Sequence, residues 1–501
     1  MTEIVEVAEG SDSRLRSGAL GRGDAIASTL SNMAPVEGIF IVLVLVAASM
    51  GTLTVWAFAL AAVGILLTGW NVAQIARRVP SAGSYVGMIW HGAGAIRPTW
   101  SAPGAAFTFY LCLFSVPVTI AAVAVFLGSW LQTAASLPNA WWLVFALGTI
   151  VVTAPAVFRG IVASARLALA LFLAEAGGLL LISVLILVQS GSALDAPLHA
   201  VGGDPGGWGG IVGITFAIAI SGFVGWENSA GLAEEIRDPR KVIPVAILGS
   251  IVIVSLIYLV STWAATAGYV HWLGPDKGAA RLGDLTNAAP FVELADHYAH
   301  WFHWGVVVIG VLSPAACYLA ALTACSRWTF ASARAGLLPS RIARVSHRGV
   351  PAWSAGLWMV VAAVLCVVPY FLLNGNAVEI AAYEAGIGTV PLLFVYVMIS
   401  AVAPFYVWRH DRESFRFMGH VVPSVLAVGV VGYGVYEFVL PSQPPPANTF
   451  WAYILGIFVL AIVTTIGVLR YRRSAIARLG HVTDDPNVTE ATEAAAAVAV
   501  R

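Results

Sequence analysis

The sequence predicts an all-α polytopic membrane protein, and composition, apolar runs and the distribution of basic residues all support this class. Of the 501 residues, 59% are hydrophobic and only 10% are charged, whereas soluble domains carry about 25% charged residues. Crossing a bilayer takes roughly 20 apolar helical residues. Twelve such runs, called spans 1 to 12, are predicted at about 26–50, 53–76, 100–131, 140–158, 164–189, 210–233, 243–269, 304–331, 352–373, 378–407, 419–440 and 450–471.

The basic residues give these spans an orientation. If the N-terminus is cytoplasmic, all but two of the 26 Lys and Arg residues fall in cytoplasmic segments, the exceptions being Lys277 and Arg281. Cytoplasmic loops of membrane proteins carry such an excess of positive charge. One missed or extra span would break the alternation, so the bias supports both the number of spans and the orientation. We expect a multi-pass protein of the cytoplasmic membrane with both termini cytoplasmic.

Other features exclude several classes of function. The net charge is zero and no basic face is evident, which excludes nucleic acid as an expected partner. The four cysteines lie in apolar runs and indicate small buried side chains instead of disulfides or metal ligands. In the loop before span 8, His297, His300 and His303 are better explained as residues of the water boundary than as a metal site. No metal and no cofactor is expected.

Span 6 contains a weak point at mid-depth, where Gly222 and Gly225 follow Ser221. In hydrocarbon every backbone N–H and C=O must be satisfied internally, so a helix opens only where its backbone lines a cavity. Glu227 lies beside this point, and an ionisable residue at membrane depth indicates a functional site. We therefore expect span 6 to be interrupted around a ligand.

Span 1 contains a matching weak point. Pro35 removes a backbone donor and Gly38 relaxes the backbone three residues later, with Glu37 between them. Interrupted helices at corresponding positions of two halves are typical of carriers built on an inverted repeat. Because the two breaks lie five spans apart, spans 1–5 and 6–10 must have opposite orientations. Two ordinary Gly/Pro kinks are the less favoured alternative.

Three stretches resemble the amino acid–polyamine–organocation (APC) superfamily. Residues 223–227 (FVGWE), followed by Ala-Glu-Glu at 233–235 and Pro-Arg at 239–240, resemble its helix 6 signature. Residues 78–85 (RVPSAGSY) resemble its turn after helix 2, and residues 327–339 resemble its motif after helix 8. The resemblance implies a LeuT-type 5+5 inverted repeat with discontinuous helices 1 and 6 and alternating access. We expect the chain to divide into a cytoplasmic tail (1–23), a transport core of spans 1 to 10 (24–407), spans 11 and 12 (408–473) and a disordered cytoplasmic tail (474–501).

The resemblance also implies a binding site at the two breaks. In such a site, backbone amides of span 1 bind a substrate carboxylate, because a helix N-terminus offers unpaired N–H groups and a positive dipole end. Unwound carbonyls of span 6, near Ser221 and Val224, would accept hydrogen bonds from an amino group. The candidate substrate-binding residues are Ser31, Met33, Ala34, Pro35, Val36, Glu37, Gly38, Ser221, Gly222, Phe223, Val224 and Gly225.

Several carboxyl groups depart from the family pattern or adjoin the site. Glu37 stands where relatives carry a small residue; it would pair with a cationic substrate or stay protonated. Glu175, in span 5, stands where proton-coupled members often carry a lysine; it is either a proton carrier or a protonated structural donor. Trp226, Glu227 and Glu384 are further candidates for coupling or gating. Glu234 and Glu235 are expected to pair with arginines after span 8, as an inner gate or a structural cluster.

Together these features predict a secondary active permease that moves an amino acid or a related amine. The coupling ion is expected to be a proton in preference to sodium. The alternatives are an organocation or amine carrier and a solute exchanger. A polytopic membrane enzyme is a remote alternative, because nearly all ten histidines lie in loops or at helix ends and no catalytic constellation lies at membrane depth.

Overall fold

The computed structural model describes residues 15, 17–81, 83–159, 161–203, 214–285, 287, 289–346, 349–443 and 447–471. Its described part is helical, apart from turns and one isolated β-bridge between Leu20 and Ile236. Most of the predicted tails, 1–23 and 474–501, lie outside the described residues. An all-α membrane protein is therefore confirmed.

The helices fall in the following order. They are α1 (Arg22–Met33), α2 (Pro35–Met50), α3 (Thr54–Ala76), α4 (Tyr85–Ile96), α5 (Ser101–Ala134), α6 (Trp141–Arg159), α7 (Ile161–Gln189), α8 (Ile214–Ser221), α9 (Pro239–Leu273), α10 (Pro275–Leu282), α11 (Pro290–Tyr298), α12 (His303–Arg334), α13 (Ala352–Leu372), α14 (Ala377–His410), α15 (Val422–Phe438) and α16 (Phe450–Tyr471). Short 3-10 turns separate several of them, including Asn228–Leu232 after α8.

Within the described residues, ten helical segments are long and apolar enough to cross a membrane. The first of them, Arg22–Ala76, contains both predicted spans 1 and 2. Predicted span 6 appears as the eight-residue helix α8 and the turn Asn228–Leu232, and its first residues, 210–213, lie outside the described part. The multi-pass architecture is therefore clear, while the count of twelve spans and the inverted repeat stay predictions.

The helices differ in how much of their surface is buried against the rest of the protein. Trp451, Leu455, Val459 and Ile466 of α16 are exposed, as expected for side chains that face lipid. The residues of α2 are mostly buried. Because both helix interruptions lie among the buried elements, they face other protein groups instead of hydrocarbon, which is where irregular backbone is tolerated.

An ion pair joins the turn after α3 to the end of α14. The Arg78 guanidinium contacts the Asp411 carboxylate through Nη2 at 2.6 Å and Nε at 3.0 Å, and it also donates to Ser414 Oγ at 2.8 Å. Hydrogen bonding by Ser414 and Arg78 lowers the pKa of Asp411 to about 2. The arginine of the 78–85 motif therefore has a structural partner far along the chain.

The pair makes a testable contribution to stability. Because the folded-state pKa of Asp411 lies below the unfolded value of about 3.9, the stabilisation is fully present above that pH and is lost as pH falls through about 2. Since Asp411 is partly exposed, we expect Asp411→Asn to lower the free energy of unfolding by about 0.5–1 kcal/mol at pH 7. Thermal unfolding in detergent should show this difference shrinking below about pH 4. The neighbouring exposed Glu413→Gln is the control; an equal effect of both variants would contradict the assignment.

Candidate functional site

The first interruption separates α1 from α2. Ala34, with φ 41° and ψ 67°, ends α1 and precedes α2 in a left-handed conformation. Pro35 is the first residue of α2 and has no N–H to continue the hydrogen-bond ladder of α1. Both residues are buried. The predicted break in span 1 is thus present, one residue before the proline that causes it.

The second interruption follows α8. Beyond Ser221 the chain runs through turns, with Phe223 N donating to Ile220 O at 3.0 Å and Val224 N to Ser221 O at 3.2 Å. Gly225 has φ 109°, a conformation that side chains rarely adopt. The regular α-helical ladder therefore ends at the serine and the glycines, where the sequence predicted a break.

The two interruptions pack against each other. Asn32 Nδ2 donates to the Gly225 carbonyl at 3.1 Å, and the Tyr258 hydroxyl donates to the Gly222 carbonyl. A Cβ atom at Gly38 would overlap the Tyr258 hydroxyl and lie 3.3 Å from the Gly222 carbonyl oxygen. Asn32 at the first break therefore satisfies a carbonyl of the second break, and the missing side chain at Gly38 leaves room for Tyr258 to satisfy another.

Two buried carboxyl groups lie beside the first interruption. Glu37 is in the first turn of α2, and its backbone N–H donates to Ser313 Oγ of α12 at 3.1 Å. Glu175 of α7 is fully buried and lies beside Glu37, Ser313 and the backbone of Val36. Neither Ser313 nor Val36 makes a hydrogen bond of good geometry to the Glu175 carboxyl. In the described part of the chain, no basic side chain forms an ion pair with either glutamate.

Two further side chains complete this group, which we call the Glu37–Glu175 cluster (Glu37, Glu175, Tyr258, Ser313 and Cys317). The Tyr258 hydroxyl and the Cys317 thiol both lie within electrostatic range of the two carboxyls. Cys317 Sγ also donates to the Asn32 carbonyl at 3.3 Å. The cluster thus joins α2, α7, α9 and α12 at the level of the breaks.

Glu227 and Trp226 lie in a different environment. The Tyr396 hydroxyl of α14 donates to Glu227 Oε2 at 2.7 Å, and Tyr85 of α4 also bonds to this carboxyl. The buried Trp226 ring packs on Tyr396, with 4.9 Å between ring centroids. These contacts connect the end of the second interruption to α4 and α14, not to the Glu37–Glu175 cluster.

Glu384 of α14 is buried, and both of its carboxyl oxygens are without a hydrogen-bond partner among the described residues. It lies near Cys366 of α13. No interaction connects it to the carboxyls of the cluster in the described part of the chain.

The remaining candidate residues donate hydrogen bonds to backbone carbonyls or pack at the two breaks. Ser31 Oγ donates to the Ala168 carbonyl of α7 at 2.7 Å, and Ser221 Oγ donates to Ile218 O at 2.7 Å. Phe223 packs edge-on against Tyr258, with ring centroids 4.8 Å apart. Met33, Ala34, Pro35 and Val36 are buried at the first break, and Val224 is partly buried at the second.

Sequence reasoning missed Asn32, Tyr258, Ser313 and Cys317. A signal for Ser313 was present, because it adjoins Pro314 inside span 8 and serine side chains can satisfy backbone groups that a proline frees in a membrane helix. Tyr258 has no such signal, since tyrosine is compatible with an ordinary apolar helix.

A second set of ion pairs lies at the C-terminal end of α12. Arg327 Nε contacts Glu235 Oε2 at 2.9 Å with both side chains buried, and Arg334 Nη2 contacts Glu234 Oε1 at 2.5 Å. The expected pairing of these glutamates with arginines after span 8 is therefore confirmed. Leu20 N donates to the Glu235 carbonyl at 2.8 Å, so the segment before α1 is tied to the same cluster.

The histidines at 297, 300 and 303 contact acidic and aromatic side chains. His300 Nδ1 and His303 Nδ1 lie 3.2 Å and 2.7 Å from Asp296 Oδ1, and His297 stacks on Trp272. The described residues contain no group of three or more His, Cys, Asp or Glu residues that could hold a metal ion.

Two interrupted helices that pack against each other beside buried carboxyls are typical of membrane carriers. Residues 20–463 match the family model described as "Amino acid permease". The chain therefore belongs to the amino acid permease family, within the APC superfamily.

Two curated relatives are similar over about half of the chain. The branched-chain amino acid permease BcaP of Lactococcus lactis is 23% identical over 272 residues, covering 52% of this chain and 51% of that protein. An uncharacterized transporter of Legionella pneumophila is 24% identical over 252 residues, covering 47% of this chain and 50% of that protein. The chain thus spans about half the length of the curated relatives that it matches.

The close approach of the breaks predicts a strong effect at Gly225. A Cβ atom there would lie 2.5 Å from the Asn32 carbonyl oxygen, and alanine would also have to adopt φ 109°. We expect Gly225→Ala to cost about 1–3 kcal/mol, measured as a lower midpoint of thermal unfolding in detergent.

Gly231→Ala is the matched control, because a Cβ atom at Gly231 would make only ordinary contacts, the nearest at 3.5 Å. Equal stability of the two variants would contradict the packing described for the breaks.

Proposed function

We propose that this protein is a secondary active transporter that moves an amino acid or a related amine across the cytoplasmic membrane. Membership of the amino acid permease family supports a transporter. The observation that carries the proposal is the pair of helix interruptions packed against each other beside two buried carboxyls. In this proposal twelve spans form a 5+5 inverted repeat, with both termini cytoplasmic, and the solute is reached alternately from the two sides.

The solute would bind where α2 begins and α8 ends. This site comprises the backbone and side chains at 31–38 and 221–225, which lie on buried elements and contact one another through Asn32, Tyr258 and the two glycines Gly38 and Gly222. Irregular backbone at this depth is typical of substrate and ion sites in carriers.

Glu175 is the proposed carrier of a coupling proton. A buried carboxylate without a cationic partner costs several kcal/mol, so the carboxyl holds a proton unless a cation comes close. The titratable groups that face it are Glu37 on α2, Tyr258 on α9 and Cys317 on α12. Because no basic residue among those the structure describes takes part, proton transfer to and from Glu175 would change the charge of the site itself.

Glu227, Trp226 and Glu384 are proposed to act in gating. Glu227 holds α14 and α4 to the end of the second interruption through Tyr396 and Tyr85. Any movement of the segment after α8 would change these hydrogen bonds. Glu384 is buried without a partner in the described residues, so a change in its surroundings would alter its protonation.

Purified protein in liposomes tests the transport proposal. A broad panel of labelled amino acids and amines should include at least one solute that accumulates under an imposed proton gradient and fails to accumulate under a sodium gradient alone. No uptake of any solute by folded, correctly oriented protein would contradict the assignment as a transporter.

Glu175→Gln tests the coupling. We expect the variant to lose accumulation driven by a proton gradient while it retains exchange of labelled for unlabelled solute, because exchange needs no net proton movement. Glu437→Gln, at the outer end of α15 and hydrogen-bonded to Gln443, is the control and should behave as wild type. Undiminished proton-driven accumulation in Glu175→Gln would remove this residue from the coupling path.

A further inference from the structure

We infer that an anionic phospholipid binds at the connection between α14 and α15. The binding surface, which we call the α14–α15 patch, combines exposed arginines with exposed apolar side chains at one boundary of the membrane. Its members are Arg77, Arg412, Arg416, Trp408, Phe417 and Met418. This inference concerns the lipid around the protein, so it holds whichever solute is transported.

The patch lies at a membrane boundary. Residues 411–416 join α14 to the helical segment Phe417–Phe438, and both helices are long and apolar enough to cross a membrane. The end of α3 lies against the same connection, because Arg78 contacts Asp411 at 2.6 Å. Helices that span the hydrocarbon core end among the lipid headgroups, so the side chains of the connection have headgroups as neighbours.

Positive charge is in excess at this connection. The charged side chains are five arginines and two acids, namely Arg77, Arg78, Arg409, Arg412, Arg416, Asp411 and Glu413. Arg78 already pairs with Asp411, and Arg77 lies near both of these side chains. In the described part of the chain, no acidic side chain forms an ion pair with Arg412 or Arg416. These exposed guanidinium groups are therefore available to an external anion.

Apolar side chains adjoin the arginines. Phe417 and Met418 are 61% and 75% exposed, and they begin a helical segment that continues into the exposed Val425. The Arg412 guanidinium lies over the exposed Trp408 ring, 5.6 Å from its centroid. Tryptophan is enriched at the level of the headgroups, and arginine binds phosphate through two parallel N–H groups. Phosphate-binding groups directly beside exposed apolar side chains match a phospholipid better than they match a water-soluble anion.

Bound lipid would link two distant segments of the chain. Arg77 follows α3, whereas Arg412 follows α14, and the pair Arg78–Asp411 that joins these segments spans 333 positions of the sequence. A ligand that binds only the folded protein raises its stability. Anionic lipid should therefore stabilise this protein against unfolding. Because both segments contribute to the patch, the sequence alone shows it only in part.

Titration of the full chain with lipid in detergent tests the inference. Phosphatidylglycerol and phosphatidylcholine with the same acyl chains differ in net charge, and native mass spectrometry counts the lipids that stay bound. We expect half-occupancy at a phosphatidylglycerol concentration at least about tenfold lower than that for phosphatidylcholine. The midpoint of thermal unfolding should rise with phosphatidylglycerol, and this rise should shrink at about 1 M salt, where the screening length falls to about 3 Å.

The double variant Arg412→Gln/Arg416→Gln locates the site. We expect it to need at least about tenfold more phosphatidylglycerol for half-occupancy than the wild type, while its unfolding midpoint without lipid stays that of the wild type. The matched control is Arg159→Gln/Arg470→Gln, which removes two exposed arginines from the ends of α6 and α16 and should bind lipid as the wild type does.

Three results would overturn the inference. Equal affinity of the wild type for both lipids would exclude a site for an anionic headgroup. An equal loss of affinity in both double variants would place the lipid elsewhere, and displacement of phosphatidylglycerol by millimolar inorganic phosphate would identify a site for free phosphate. The comparison of the two lipids and the dependence on salt use the wild type alone, so misfolding of a variant cannot obscure them.

Discussion

The structure depends on one constraint, that backbone groups in a membrane must find partners inside the protein. Both helix interruptions lack part of their own hydrogen-bond ladder. Asn32 and Tyr258 satisfy the Gly225 and Gly222 carbonyls, and Ser313 accepts from the Glu37 amide. The interruptions therefore stabilise each other, and neither could be tolerated in an isolated helix facing lipid.

The same arrangement decides the electrostatics of the site. The Glu37–Glu175 cluster holds two carboxyls and no basic partner among the described residues. Such a site is stable only with protons or a cation bound, because uncompensated buried charge is costly. The proposed proton coupling through Glu175 rests on this feature.

Much of this architecture could be predicted from sequence because the effects are local. Pro35 and the glycines at 222 and 225 alter backbone conformation by themselves, so both breaks were predictable, and Arg327 and Arg334 were expected to meet Glu234 and Glu235. What could not be predicted is contact across the bundle. Glu175 and Glu37 were assigned to separate roles, and only their packing through Ser313 and Tyr258 brings them together. The resemblance to the APC superfamily was confirmed, while the binding residues that it implies stay a prediction.

The most direct test is an experimental structure of the protein in a lipid bilayer with its transported solute bound. The account predicts solute density between residues 34–38 and 221–225. Solute bound elsewhere, with both interruptions still closed on each other, would contradict it.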